Sequence, residues 1–223
     1  MVLVGITRRG ELQRRLRYLL PAAALLVFAL LMLAIALGAT NALDVGVWLG
    51  LRRLAYPWLT HVMVIVTYLG SWPVIIAAAL AYALLSRGSA IADMVYLLGA
   101  TAGGGALSLL LKAVVHRPRP NGALVWVSGF SFPSGHALLS LVFYGTLVRV
   151  LASRAQSRRR AAAVYLAGVL LIATIGFSRL YLGVHYLTDV LASYAIGVAW
   201  VSALALLVGR RFSKDRPPAC APS

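Results

Sequence analysis

Six apolar runs of bilayer length divide this chain, and they limit its fold more than any other feature. They cover residues 18–40, 58–85, 91–115, 133–151, 161–177 and 184–208. A helix rises about 1.5 Å per residue, so about 20 apolar residues cross a hydrocarbon core about 30 Å thick. No water reaches the backbone there, so segments of this length close their hydrogen bonds internally as helices. Hydrophobic residues fill 61% of the 223 positions and charged residues 12%, more apolar surface than a soluble domain of this size can hide. The expected fold is all-α: a six-transmembrane-helix bundle over 18–209, with a basic N-terminal tail at 1–17 and a basic, disordered tail at 210–223. The first run is too long for a cleaved signal sequence and no soluble domain follows it, so it is expected to stay as a span.

Basic residues set the orientation. Arg8, Arg9, Arg14, Arg15, Arg17, Arg87, Arg149, Arg154, Arg158, Arg159, Arg160, Arg210, Arg211, Lys214 and Arg216 would share one side. Only Arg52, Arg53, Lys112, Arg117, Arg119 and Arg179 would lie on the other. The positive-inside rule then makes both termini cytoplasmic, in agreement with an even span count. The net charge of +16 comes as short clusters between apolar runs and not as a basic helix face, which argues against nucleic acid as a partner. The single cysteine, Cys220, excludes an intrachain disulfide framework. It opens a terminal Cys-Ala-Pro-Ser that formally matches a prenylation box, but the proline inside the box favours a plain tail.

The first outer segment, 41–57, mixes Asp44, Arg52 and Arg53 with Trp48 and Tyr56, as a piece lying on the membrane surface would. The second outer loop, 116–133, is rich in Pro, Gly and Ser. Three polar groupings flank the later runs. Lys112 precedes Arg119-Pro120 by seven residues, Pro133-Ser134-Gly135-His136 follows, and Ser178-Arg179 leads to His185 and then Asp189. Lys112 ends the third span, Ser134 and His136 open the fourth, Arg179 ends the fifth, and His185 and Asp189 open the sixth. All of them fall on the outer side, which the charge count did not require.

These residue types suit phosphoryl transfer. Lys112, Arg119 and Arg179 can neutralise the charge on the equatorial oxygens of a phosphate in its transition state, the arginines by bidentate bonds. Pro133 suits the first turn of a helix, where the backbone N–H groups beside Ser134 and Gly135 would face an anion. Gly135 would also let the backbone come close. His185 and Asp189, four residues apart, would share a helix face, so that the carboxylate holds one ring nitrogen and frees the other to attack phosphorus. His136 is then the group that protonates the leaving alkoxide and later activates water. Of the five acidic residues, Glu11, Asp93 and Asp215 fall on the inner side and Asp44 in the first outer loop. Asp189 alone stands with the two histidines, a poor magnesium cage, so metal-independent catalysis with no cofactor is expected.

The three strings resemble the signature of the type 2 phosphatidic-acid phosphatase superfamily, K-x6-R-P, P-S-G-H and S-R-x5-H-x3-D, at all eleven fixed positions from Lys112 to Asp189. The resemblance implies a six-helix core, a phosphohistidine mechanism and contact of Ser134 with the phosphate. It leaves the substrate open, since the family spans lipid phosphatases and diphosphatases, sugar phosphatases, phosphotransferases and haloperoxidases. Near-total embedding favours a lipid phosphate: phosphatidate, phosphatidylglycerol phosphate or undecaprenyl diphosphate. The near-exclusive use of arginine over lysine points to a GC-rich bacterium and so to the last two, acting at the plasma membrane. A lipid phosphotransferase and a non-catalytic binder of anionic lipid are the rival readings.

Taken singly, Lys112 or Arg179 could equally be a snorkelling anchor, and His185 with Asp189 equally a polar pair between helices. Other residues receive structural expectations. His61 reads as interfacial. His116 and Arg117, at unfixed positions of the first motif, would line the mouth and meet headgroups. Gly99, Gly103, Gly104 and Gly105 would permit close helix packing. Asp93 would favour a helix N-terminus, and Trp48, Trp58, Trp72 and Trp126 would join the interface belt.

Overall fold

The structure is a computed structural model. It describes residues 2–85 and 90–212, with side chains over 17–85 and 93–207. Arg87, Lys214, Arg216 and Cys220 lie outside those residues, as do the side chains of Arg8, Arg9, Arg14, Arg15, Arg210 and Arg211. Eight helices and no strand occur among the described residues: α1 (Val2–Ala36), α2 (Asn41–Arg52), α3 (Pro57–Tyr68), α4 (Trp72–Leu85), α5 (Ala90–Val115), α6 (Gly135–Ser153), α7 (Arg158–Tyr181) and α8 (Leu187–Phe212). By length and hydropathy α1, α5, α6, α7 and α8 can each cross a bilayer, and α3 with α4 makes a sixth span bent by 56°. The expected all-α bundle of six spans is present.

That bend departs from the expected unbroken run. Gly70 sits at the break, where a Cβ would come within 3.0 Å of the His136 carbonyl oxygen and 2.9 Å of Ile175 Cγ2. A straight helix bearing side chains would therefore push the start of α6 away. The broken turn loses few backbone bonds, because Tyr144 Oη donates to Leu69 O at 2.7 Å and Ile75 N to Ser71 O at 3.0 Å. Pro73 then sits in the first turn of α4, where a missing N–H is harmless. The 41–57 segment also gains structure, since most of it is the separate helix α2. Buried Tyr181 fixes its exit, accepting from Tyr56 N and donating to Leu54 O.

α6 is the central helix. Half of its span is buried, against none of the α1 span, and it packs on α5, α7 and α8 while α1 lies along α8. Lipid is as apolar as leucine, so close approach and hydrogen bonds hold such helices together more than transfer from water does. At Gly103 and Gly105 a Cβ would lie 2.4 Å from the Trp200 ring and 2.6 Å from the Trp72 ring. Trp200 also donates to Ala100 O at 2.9 Å. Gly104 meets Val142, whereas Gly99 faces open space and takes no part in the packing expected of it. Trp72 thus packs on Gly105 while staying partly exposed, and Trp58 and Trp126 are exposed as belt residues would be. At the α5–α6 end opposite the outer loop, Asp93 pairs with Arg154 and accepts from Tyr82 Oη, a tie across three elements more than a helix-end charge.

Candidate active site

The C-termini of α5 and α7 and the N-termini of α6 and α8 meet at one end of the bundle, and two local devices set the residues there. The first ends α7. Gly183 takes φ +69°, Gly183 N donates to Leu180 O at 3.0 Å and Val184 N to Arg179 O at 3.2 Å. This is a Schellman turn, closed by a left-handed residue that glycine adopts without strain. It bonds the Arg179 backbone to the residue before His185, which explains the spacing of the two. The second starts α8. Asp189, in its first turn, accepts from Tyr186 N at 2.9 Å, the carboxylate half of a capping box.

His185 therefore precedes α8 and does not share its face with Asp189, contrary to the i, i+4 argument. The two still face each other across the turn, Nδ1 to Oδ2 at 3.6 Å. This distance allows charge interaction but exceeds a hydrogen bond, so Nδ1 counts as buried without a hydrogen-bond partner. His185 Nε2 lies 3.2 Å from Arg119 Nη1. A guanidinium only donates, so Nε2 is the acceptor and the proton of the neutral ring sits on Nδ1, toward Asp189. Burial above all, with the fields of Arg179 and Arg119 and against the pull of Asp189, lowers the His185 pKa to about 4.

The three expected phosphate-binding cations are present and are held by neutral acceptors. Lys112 Nζ donates to Phe130 O at 2.6 Å. Arg119 donates to the Ser128, Gly129 and Val184 carbonyls. Arg179, 3% exposed, donates to Thr67 Oγ1 at 2.6 Å, and its Nε has no partner. All three lie close enough to act electrostatically on His136.

Ser134 precedes α6 with φ −72° and ψ 106°, and its hydroxyl caps nothing and is buried without a partner. The helix starts at Gly135, so Pro133 stands outside it and not in its first turn. The early N–H groups are orphans of the helix, and a Cβ on Gly135 would touch only Ser108 Oγ, at 3.7 Å.

Arg117 is where the sequence reading fails. It does not line the mouth: its side chain is 10% exposed, ion-paired to Asp189 Oδ1 and Asp44 Oδ2 at 2.6 Å each. Burial opposes its charge, but the two carboxylates outweigh burial and raise its pKa. Asp44, expected apart from the site, is 1% exposed and joins it through α2. The position of Asp44 in a mixed interfacial segment gave no such signal; an acidic residue beside an apolar helix stripe was the only hint. His116 is exposed, stacked edge-on against Phe130 at 4.5 Å. His61 is exposed too, with Nδ1 2.7 Å from Pro57 O on its own helix. A crevice of about 730 Å³ lies behind Arg117, between α1, α2 and the end of α5. Neither His136 nor His185 lines it, so it stands apart from both histidines.

Four basic side chains thus face two carboxylates, leaving two positive charges over for an incoming anion. The PAP2 superfamily profile matches residues 93–213, over half of the chain and every residue of this constellation except Asp44. The chain belongs to the PAP2 superfamily. Phosphatidylglycerophosphatase B of Bacillus subtilis (strain 168) is 31% identical over 187 residues, covering 80% of this chain and 89% of that one. The crystal structure of a transmembrane PAP2 type phosphatidylglycerolphosphate phosphatase from Bacillus subtilis superposes with a TM-score of 0.77 at 28% identity, over 90% of this chain and 99% of that one. Aquifex aeolicus LpxE shares the fold, with a TM-score of 0.58 at 23% identity over 74% of this chain and 95% of that one.

Proposed function

We propose that this PAP2 protein is a membrane lipid phosphatase that releases a terminal phosphate from a glycerolipid, phosphatidylglycerol phosphate foremost, through a phosphohistidine on His185 and without a metal. One observation carries this: the buried ring of His185 sets Nε2 3.2 Å from the Arg119 guanidinium while Nδ1 faces the Asp189 carboxylate at 3.6 Å. Nε2 donates its lone pair to phosphorus, the P–O bond to the lipid breaks, and His136 passes a proton to the leaving alkoxide. The phosphate dianion itself supplies the counter-charge that protonated His136 needs. Water then attacks phosphorus, His136 takes its proton, and the P–N bond breaks to free inorganic phosphate.

Lys112, Arg119 and Arg179 hold the equatorial oxygens, and the Ser134 hydroxyl and the Gly135 backbone complete the cradle. Both acidic groups at the site are already taken by Arg117, which supports electrostatic work by cations in place of a bound metal. The relatives named as phosphatidylglycerophosphatases support the glycerolipid substrate. The site is proposed to open at the extracytoplasmic face of a bacterial plasma membrane, with both termini cytoplasmic. The arginine-rich α6–α7 connection with Arg154, Arg158, Arg159 and Arg160, at the other end of the bundle, supports that orientation.

The test is phosphate release from a panel of phosphatidylglycerol phosphate, phosphatidate and undecaprenyl diphosphate, with EDTA present. Wild type should turn over the first fastest and trap an acid-labile phosphoenzyme; His185→Ala should lose roughly 10³-fold or more and trap none. Wild-type turnover by His185→Ala would sink the nucleophile assignment, and a strict need for added magnesium would sink the metal-free mechanism. Product analysis with an acceptor lipid separates hydrolysis from transfer.

A further inference from the structure

We propose that Arg117 and Asp44 form a buried clamp that positions Asp189, and through it His185, for phosphoryl transfer; this rests on the proposed role of His185 as nucleophile. Asp189 is fully buried, and its two oxygens have different duties. Oδ2 accepts from Tyr186 N and faces His185 Nδ1, while Oδ1 accepts from Arg117 Nη1. With Oδ1 fixed, the carboxylate cannot swing about its last torsion, and Oδ2 stays aimed at the ring.

Three of the five N–H donors of Arg117 are spent inside the site. Nη1 serves Asp189 Oδ1 and Thr188 Oγ1, Nη2 serves Asp44 Oδ2, and its flat face covers the Tyr186 ring at 4.4 Å. Asp44 closes the circuit, accepting from Thr188 N at 3.0 Å and from Thr188 Oγ1 at 2.6 Å. The clamp therefore grips the first turn of α8 through Thr188 and Asp189 together, from α2 and from the loop after α5. Only a forked cation can bridge two carboxylates in this way, so lysine should not replace Arg117.

Its charge matters as well as its shape. Two carboxylates and one guanidinium leave a single negative charge, shared over the clamp and not concentrated on Asp189. Spreading the charge weakens the pull of Asp189 on the imidazole proton, so the proton stays on Nδ1 and the lone pair stays on Nε2. A buried carboxylate stripped of its cation would instead compete for that proton.

The test uses the full-length protein in phospholipid vesicles with phosphatidylglycerol phosphate, comparing wild type, Arg117→Lys, Asp44→Asn and the double variant. Residues of a positioning shell typically change function by about 10–100-fold. Arg117→Lys should lower kcat by about that factor with KM within about twofold, Asp44→Asn less, and the double variant no more than Arg117→Lys alone. The single-turnover rate of phosphoenzyme formation should fall in step with kcat, and the acid limb of kcat/KM should move. Asp44→Asn keeps the shape of its side chain and can be read even if Arg117→Lys folds poorly. A raised KM at unchanged kcat would make Arg117 a headgroup contact and overturn the clamp. So would wild-type rates in both variants, or losses that vanish once scaled to the folded, monodisperse fraction. Failure of wild type to form any phosphoenzyme would instead overturn the nucleophile assignment itself, so the two failures are distinct.

Discussion

The front of the site and its back wall both hold buried arginine, yet they hold it in opposite ways. At the front, Arg119 and Arg179 rest on carbonyls and one hydroxyl, so their charges are oriented but not cancelled. At the back, Arg117 is locked between Asp44 and Asp189. A buried cation with neutral partners is an unfavourable arrangement that persists where a ligand will complete it; a buried cation between carboxylates is already complete. Residue type and burial do not distinguish the proposed binding residues from the proposed supporting one. The charge of the partner does.

The largest expected effect tests the front. Arg179→Ala should lower kcat/KM by roughly 10²–10³-fold, the usual effect of removing one transition-state donor, and Arg179→Lys should recover little of it. Radiolabelled phosphate release from mixed micelles measures this; a loss below about threefold would remove Arg179 from the phosphate site and break the contrast.

A pH profile sharpens the contrast next. In the proposed mechanism His185 attacks as neutral imidazole, and its pKa of about 4 lies below the ordinary 6.5, so activity should persist down to about pH 4. Below that the ring gains a proton and kcat/KM, corrected for ionisation of the substrate, should fall about tenfold per pH unit. The same shift bears on stability. The unfolded chain takes up a proton on this histidine as pH falls through 6.5 while the folded chain resists until about 4, so the contribution of His185 to stability is full above 6.5 and is lost on acidification through 4. An enzyme limb at 6.5 would mean that the ring is not desolvated.

The smallest effect belongs to a paired cation far from the chemistry. Arg154→Ala, at the opposite end of the bundle beside Asp93, should leave kcat/KM within about twofold and lower thermal stability by no more than about 1 kcal/mol. A tenfold activity loss there would mean that the two ends communicate.

Much of this was legible in the sequence, for identifiable reasons. The runs of apolar residues carry the spans because lipid imposes length directly. The strings from Lys112 to Asp189 carry the front because their spacings are set by local devices, the Schellman turn at Gly183 and the capping of α8 by Asp189. The clamp was illegible because its contacts are long-range: Asp44 lies 73 residues from Arg117 and 144 from Thr188. No local periodicity reports such a pairing. The bend between α3 and α4 lay in between. Gly70, Ser71 and Pro73 were readable punctuation inside an apolar run, but the reason for the break, the approach to His136, is tertiary.

The unpartnered Nε of Arg179 and the unpartnered hydroxyl of Ser134 have a consequence at the bench. If the site holds phosphate as proposed, its surplus positive charge and idle donors make any tetrahedral oxyanion a folding ligand, whether or not it can react. By mass action, phosphate at 100 times its Kd adds about 2.7 kcal/mol to the folded state while occupying the place of the substrate. Buffer choice therefore pulls in two directions for this protein: the solutions that preserve it best in detergent are those in which it will look least active.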